Sequence, residues 1–248
     1  MTAILLEINN LTKQYGHTSK QRFYALSDVS FSVNDKEIVG FVGLNGAGKT
    51  TTIRIASGVI LSTSGSVVVD GYDIVKDKQK ASEQIGWVPE FPNFELNAKA
   101  KNLLLYFAGF RAIRSDLASR RASELFRDLE LSGQENKKLQ AYSQGMKKRF
   151  SLAIALLPEP KNFLFDEILN GLDPQGIQFT RQLLQDLRKK GKSILLSSHL
   201  LSEIEAISDR IVFIHKGKLI KTITKSELSA IEHGIGVLRM IIPNLDEK

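Results

Sequence analysis

Hydrophobic positions gather in short runs over much of the chain, a pattern typical of strands. Such runs, rich in β-branched and aromatic residues, occupy residues 5–8, 29–33, 37–42, 66–70, 162–165, 193–197 and 210–214. Between residues 97 and 131 the apolar positions instead recur at helical spacing. Two further helical patterns, over 175–190 and 200–208, separate the last three strands. This strand–helix–strand alternation predicts an α/β fold built on a mostly parallel sheet with helical crossovers.

The same pattern predicts how the chain is divided into subdomains. Residues 1–90 and 158–225 carry the strand signals and are expected to form a core sheet subdomain. The mainly helical block, residues 91–157, is expected to be an inserted α-helical subdomain. Residues 226–248 are left as a short C-terminal tail, which is too small for another domain.

Composition narrows the class of protein. The 248 residues are 42% hydrophobic and 25% charged, which are the values of an ordinary globular protein and exclude a disordered chain. Because there are no cysteines, disulfides, thiolate zinc sites and iron–sulfur ligation are excluded. No apolar run approaches the ~18–20 residues that span a bilayer, and the first residues do not resemble a secretory signal. We therefore expect an intracellular protein that reaches a membrane only through a partner.

The formal net charge of +7 is concentrated in the helical block. Between Glu95 and Pro160 there are 12 basic and 7 acidic residues. A solvated helical face is the favoured interpretation. Contact with anionic lipid head groups and contact with nucleic acid are the alternatives, and charge alone does not choose between them.

Residues 43–50, here called the phosphate loop, have the sequence GLNGAGKT and fit the pattern G-x-x-x-x-G-K-[ST] at every defined position. The loop follows an apolar strand and opens a helical stretch, as the motif requires. Its glycines let successive backbone N–H groups converge on phosphate oxygens, and the helix N-terminus adds partial positive charge. Lys49 is expected to reach the β- and γ-phosphates, and the Thr50 hydroxyl to coordinate Mg²⁺. The predicted nucleotide-binding residues of this segment are Gly43, Asn45, Gly46, Ala47, Gly48, Lys49, Thr50 and Thr51.

A second apolar strand ends in Asp166, and Glu167 follows it at once. Because parallel strands end at a common edge, Asp166 is expected beside the phosphate loop, where it can hold Mg²⁺. Glu167 is then placed to orient the attacking water. His199 follows a third apolar strand and is expected at the same edge, in contact with the γ-phosphate. The predicted catalytic residues are Glu167, His199 and Lys49, and the predicted metal ligands are Thr50 and Asp166.

Residues 142–149, here called the signature segment, have the sequence YSQGMKKR and lie about twenty residues before Asp166. Alone, they indicate a serine N-cap before an amphipathic helix. Together with the phosphate loop and Asp166, they resemble the signature motif of nucleotide-binding subunits of ATP-binding-cassette (ABC) transporters. The YSxGM form is typical of ABC-2-type exporter and drug-resistance ATPases. Ser143 and Gly145 then offer a hydroxyl and N–H groups to an anion.

The resemblance covers residues 3 to about 225 and implies a P-loop NTPase core with an antiparallel β region near the N-terminus. It also implies that a second ABC ATPase subunit, identical or different, packs head to tail with this one around ATP. Tyr15 matches the aromatic that stacks on adenine, which suits a flat base. Leu172 and Asp173 match the loop that crosses the dimer interface. Glu90 stands where family members commonly carry glutamine, and it adds negative charge near the γ-phosphate.

The implied function is ATP binding and hydrolysis that drives transport through separate membrane-spanning permease subunits, with export favoured. The implied location is cytoplasmic, peripheral on the inner face of the cell membrane through the permease, with no direct nucleic acid expected. One alternative is a soluble ABC ATPase acting on nucleic acid or ribosomes, but such proteins usually carry two cassettes, coiled-coil insertions or zinc modules. Another is a generic P-loop kinase or GTPase, which leaves the signature segment unexplained.

Overall fold

The structure is a computed structural model that describes residues 4–16 and 22–227. Its strands are β1 (Ile4–Tyr15), β2 (Phe23–Asn34), β3 (Ile38–Val42), β4 (Ser64–Val69), β5 (Tyr72–Asp73), β6 (Ile85–Val88), β7 (Asn162–Asp166), β8 (Ser193–Ser198), β9 (Arg210–His215) and β10 (Lys218–Thr224). Its α-helices are α1 (Lys49–Ala56), α2 (Lys78–Glu83), α3 (Ala100–Phe110), α4 (Ser115–Asp128), α5 (Gln144–Leu156), α6 (Pro174–Lys189) and α7 (Leu201–Glu205). A short 3₁₀ helix, Leu139–Ala141, precedes α5.

Two sheets organise these elements. The larger has the order β10-β9-β3-β8-β7-β6, with β9, β3, β8, β7 and β6 parallel and β10 antiparallel at one edge. The smaller has the order β2-β1-β4-β5 and is antiparallel throughout. The predicted fold class is therefore confirmed: a mostly parallel sheet, an antiparallel β region near the N-terminus and helices between the strands.

The parallel sheet is the middle layer, because alternate residues of its strands face different cores. On β3, Ile38 and Val42 join the apolar cluster formed with the helices α3 to α7, whereas Val39 and Phe41 join the cluster formed with the antiparallel sheet and α1. On β7, Phe163 and Phe165 face the first cluster and Leu164 the second. Burial on both faces explains why these strands are continuous apolar runs.

Helices α3, α4 and α5 lie between β6 and β7 in the chain. The helical spacing over residues 97–131 is divided between α3 and α4, with the turn at residues 111–114. The division into subdomains at 90 and 157 stays a prediction, and most of the expected tail, 226–248, lies outside the described residues. Among the residues that the structure describes, no helix is both long and apolar enough to cross a bilayer.

Candidate functional site

The phosphate loop connects β3 to α1 at the carboxyl edge of the parallel sheet. Gly46 and Gly48 adopt positive φ angles of 79° and 112°, a region that favours glycine. At Gly48 a side chain also has no room, since a Cβ atom there lies 2.7 Å from Leu26 Cδ2 and 2.8 Å from the carbonyl oxygen of Ala25. The two glycines therefore allow the tight backbone path by which the loop enters the N-terminus of α1, where N–H groups can bind an anion.

Lys49 is buried and fully partnered at the start of α1. Its Nζ donates to the carbonyl oxygens of Gly43 at 2.6 Å and Leu44 at 3.2 Å. It also forms an ion pair with Glu167 Oε1 at 3.1 Å, in which each side chain is only 4% exposed. A buried charge needs such partners to offset its desolvation. The lysine is thus held between the loop and the carboxylate predicted to be catalytic.

Asp166 is the last residue of β7 and lies next to the phosphate loop. Its Oδ1 accepts hydrogen bonds from Ser197 Oγ at 2.7 Å and from Thr50 Oγ1 at 3.2 Å. Burial raises the pKa of this carboxyl, and the two hydroxyl donors partly counter that effect. Glu167 nearby raises the pKa further.

The pair formed by Thr50 and Asp166 fits a magnesium ion. Both contribute hard oxygen donors, and Mg²⁺ commonly takes one or two protein carboxylates and completes its shell with water and substrate phosphates. In the described ranges, no group of three or more histidine, aspartate or glutamate side chains is arranged to hold a metal ion alone. Thr50 and Asp166 therefore suit an ion whose remaining ligands are water and nucleotide phosphates.

Glu167 stands at the centre of the site with its backbone in the left-handed region, at φ 50°. Its backbone N–H donates to Ser197 Oγ at 3.0 Å. One carboxylate oxygen contacts Lys49, and the other lies 3.1 Å from Nδ1 of His199. The histidine side chain is 36% exposed, whereas the glutamate is buried. The carboxylate therefore links a buried cation to a solvent-accessible imidazole.

An open cavity of about 650 Å³ begins at these residues and extends to the end of β1. Most of the residues predicted from the sequence line it: Tyr15, Asn45, Gly46, Gly48, Lys49, Thr50, Thr51, Glu90 and Glu167. The other predicted residues of the loop lie behind this lining, Gly43 as an acceptor for Lys49 and Ala47 in the apolar core. Glu90 thus faces the same space as Glu167, placing two carboxylates on one cavity.

The far end of the cavity is aromatic. Tyr15 stacks on Phe23 with ring centroids 5.5 Å apart, because the two residues are paired across β1 and β2. Tyr24 lines the same end, and Lys13 Nζ lies 5.0 Å from the centre of the Tyr15 ring. Flat rings at one end and a phosphate loop at the other match the two chemically different ends of a nucleotide.

The signature segment is not part of this cavity lining. Ser143 is exposed and caps α5, accepting a hydrogen bond from the backbone N–H of Met146 at 3.2 Å. Gly145 follows in the first turn of the same helix. The helix-capping interpretation is therefore what the single chain displays. The two residues are available to an anion only at a surface outside the cavity.

Sequence reasoning missed two kinds of contact in the site. Ser197 holds both Asp166 and Glu167, and only the pairing of β7 with β8 brings it there. Phe23 and Tyr24 extend the aromatic end, and a weak signal for them exists in their position at the start of a strand. No sequence signal marks Ser197 apart from its place at the polar end of an apolar run.

A glycine-rich loop with a buried lysine, next to a strand that ends in two carboxylates, defines a P-loop nucleoside triphosphatase. A family described as ABC transporter matches residues 26–170. The bacitracin transport ATP-binding protein BcrA of Bacillus licheniformis is 37% identical over 220 residues, which are 88% of this chain and 69% of that protein. The chain belongs to the ABC transporter family, and it is an ATP-binding, ATP-hydrolysing subunit of that family.

Solved structures agree with this assignment. An ATP-binding subunit of an ABC transporter is 29% identical, with a TM-score of 0.82 over 92% of this chain and 93% of that one. A bacterial ABC transporter cassette solved as a dimer is 25% identical, with a TM-score of 0.80 over 89% of this chain and 99% of that one. The family and fold predicted from the motifs are confirmed.

Proposed function

We propose that this subunit pairs head to tail with a second ABC ATPase subunit, and that MgATP binds between the phosphate loop of one and the signature segment of the other. This proposal rests on the observation that the predicted nucleotide-binding residues of one chain lie on two separate surfaces. The cavity supplies the base end, the phosphate loop and Glu167, yet Ser143 and Gly145 lie outside its lining. A second copy or a related chain that brings its signature segment completes the anion contacts.

Within this arrangement each residue has a defined task. Tyr15 stacks on the adenine, and the loop N–H groups with Lys49 hold the β- and γ-phosphates. Thr50 and Asp166 hold Mg²⁺, which supplies charge neutralisation to the phosphates when bound. Glu90 faces the same space, where its charge tunes the affinity for the anionic substrate.

The contacts of Glu167 suggest how hydrolysis is timed. Lys49 pairs with Glu167 at 3.1 Å, and a bound γ-phosphate competes for the same ammonium group. When Lys49 turns to the phosphate, the carboxylate is free to orient and polarise the attacking water. His199, already 3.1 Å from the other carboxylate oxygen, steadies Glu167 and contacts the γ-phosphate. Positioning and charge neutralisation, rather than a covalent intermediate, lower the barrier.

Closure of the dimer around ATP and reopening after hydrolysis then drive transport, because ATP contacts both subunits only in the closed state. The work is passed to separate membrane-spanning permease subunits, which hold this subunit at the cytoplasmic face of the cell membrane. The YSxGM form of the signature segment favours export as the direction of transport.

The test of the catalytic assignment is Glu167→Gln compared with Glu124→Gln, which changes an exposed glutamate on α4. We expect Glu167→Gln to lose ATP turnover by about 10²–10⁴-fold while it still binds ATP, because a positioned acid–base group contributes that much. Glu124→Gln keeps the turnover of the unaltered protein. Unchanged hydrolysis in Glu167→Gln removes this residue from the mechanism.

The test of the partner is co-purification of the tagged chain from its native membranes in mild detergent. A multi-span membrane protein in stoichiometric yield supports the transporter role. Ribosomes or DNA-bound proteins in its place favour a soluble ABC ATPase acting on nucleic acid.

A further inference from the structure

One partly buried lysine of the signature segment has no role in the mechanism above. Lys148 lies on α5, five residues after the cap residue Ser143. Its side chain leaves the helix toward residues 167–173, here called the catalytic loop, which run from Glu167 to the start of α6. Lys148 Nζ donates to the carbonyl oxygens of Ile168 at 3.2 Å and Glu167 at 3.5 Å, and to that of Asn170.

These three contacts use the full donor capacity of an ammonium group, which has three N–H bonds and no acceptor. Burial lowers the pKa of Lys148, and the negative charges of Glu90 and Glu167 partly counter that effect. The side chain is therefore held at a partly buried place where a lysine is unfavourable unless its donors are paired.

The catalytic loop has a backbone that needs such support. Glu167 and Gly171 both have positive φ angles, of 50° and 69°. On the N–H side, Glu167 is fixed by the hydroxyl of Ser197 at 3.0 Å. On the carbonyl side, it accepts from the backbone N–H of Asn170 at 3.1 Å and from Lys148. Lys148 is thus the side chain that ties the carbonyl side of this loop to another element.

We propose that Lys148 is a positioning residue that fastens the catalytic loop to the helix bearing Ser143. The inference rests on the proposed head-to-tail dimer. There, the start of α5 serves the ATP bound by the partner subunit, whereas Glu167 serves the ATP bound by its own. Lys148 therefore joins the two sites within one chain: a shift of α5 on engaging the partner's nucleotide is transmitted to the backbone of Glu167.

The chain offers a matched control for testing this role. Lys192, between α6 and β8, donates to the carbonyl oxygen of Glu159 at 3.1 Å, and burial lowers its pKa too. Lys148→Met and Lys192→Met each remove one partly buried ammonium from backbone carbonyls while keeping most of the side-chain volume. Only the first is connected to Glu167.

The experiment measures kcat and KM for ATP, together with hydrogen exchange of peptides covering 167–173 and 43–50. For Lys148→Met we expect kcat to fall about ten- to a hundredfold, the cost of a misplaced catalytic group, with KM changed by less than about twofold. Exchange rises over 167–173 and stays unchanged over 43–50. Lys192→Met keeps both kcat and the exchange over 167–173.

Retained kcat in Lys148→Met, or unchanged exchange over 167–173, overturns the proposal. Equal losses in Lys148→Met and Lys192→Met also overturn it, because they indicate general destabilisation. Lys148→Arg, which keeps charge and donors, covers the case in which the methionine variant does not fold. We expect it to retain more kcat than Lys148→Ala, and a kcat no higher than that of the alanine variant contradicts the role. Failure of the proposed function shows separately, as unchanged hydrolysis in Glu167→Gln.

Discussion

The phosphate loop with Asp166 and Glu167 differs from the signature segment in how far its polar groups are buried and paired. Lys49 and Glu167 are 4% exposed and satisfy one another, with hydroxyl and carbonyl partners completing the set. Ser143 is exposed, and its partner is the first turn of its own helix. The phosphate loop and its carboxylates are packed between the parallel sheet and α1. The signature segment stands at the N-terminal end of α5.

This difference shows which half of the chemistry one chain can organise alone. Buried charges are fixed by their neighbours, so the first region is preorganised before a ligand arrives. The signature segment keeps N–H groups and a hydroxyl at the surface, where an anion presented by another chain can reach them. Changes in the first region should therefore act on the chemistry, and changes at the exposed Ser143 and Gly145 of the second on assembly.

After Glu167→Gln, replacing Asp166 with asparagine is expected to have the largest effect, and it should change stability and activity in opposite directions. Turnover falls by about 10²–10³-fold, the loss typical of one preorganised electrostatic group. Burial raises the pKa of Asp166, so stability is lost as the pH rises from the ordinary aspartate pKa to the raised one, and the full cost of the buried charge is present above the raised pKa. Asparagine still accepts from Ser197 and Thr50, so the melting temperature at neutral pH rises. Calorimetry and a steady-state assay check both results.

The pH dependence of turnover gives a second test of the burial of Asp166, and the melting temperature gives the result that would contradict it. Because its pKa is raised in the nucleotide-free protein, kcat/KM for MgATP should decline on acidification at a higher pH than an ordinary aspartate would give. A melting temperature that falls in Asp166→Asn at neutral pH contradicts the assigned cost of burying this charge.

Substitution of Ser143 distinguishes capping from anion binding. Ser143→Ala removes the cap at a cost of about 1 kcal/mol of stability, whereas Ser143→Asp keeps a capping oxygen. Both variants should lose turnover, the aspartate by about tenfold or more, because its charge repels the phosphates of the partner's ATP. ATP binding to the single chain stays unchanged, as a fluorescent nucleotide titration can measure. Full activity in Ser143→Asp would mean that this serine serves only the helix.

Tyr15 allows a smaller test at the aromatic end of the cavity. Tyr15→Ala should weaken ATP binding by about three- to tenfold, since an aromatic stack contributes roughly 0.5–1.5 kcal/mol. Tyr15→Phe keeps the ring and should bind as the unaltered protein does. Tripolyphosphate, which has no base, should bind all three proteins equally. If Tyr15→Ala weakens tripolyphosphate as much as ATP, the ring does not contact the base.

Glu90→Gln is expected to have the smallest effect. It removes one of the two carboxylates on the cavity and so lessens repulsion of the phosphates, tightening ATP binding by about a few-fold at low ionic strength. Titrations at low and high salt check this, because screening should shrink the difference. Weaker ATP binding in Glu90→Gln would show that the Glu90 carboxylate makes a favourable contact with the nucleotide, contrary to the repulsion assigned to it.

The sequence was sufficient where the chemistry is local. The phosphate loop, Asp166 and Glu167 each follow an apolar strand, so their place at one sheet edge could be predicted. Ser197 could not, because it reaches Asp166 only through the register of β7 against β8. Lys148 gave no signal either, since its acceptor carbonyls lie about twenty residues further along the chain.

Besides the two-residue β5, two longer strands escaped the pattern for similar reasons. β6 has only four residues and includes a glycine, so its short IGWV run resembles a loop. β10 carries lysines among its apolar residues, as exposed edge strands often do. Their strand character comes from pairing with β7 and β9, which local propensity does not report.

The most direct test of the divided site is the mass of Glu167→Gln in solution, measured by sedimentation with and without saturating MgATP. We expect this variant to bind ATP and to hydrolyse it only slowly, so a site made from two chains should hold them together. We expect a monomer without nucleotide and a dimer with MgATP, and a return to monomer when Ser143→Asp is added. A monomer at saturating MgATP, with ATP bound, would contradict the account.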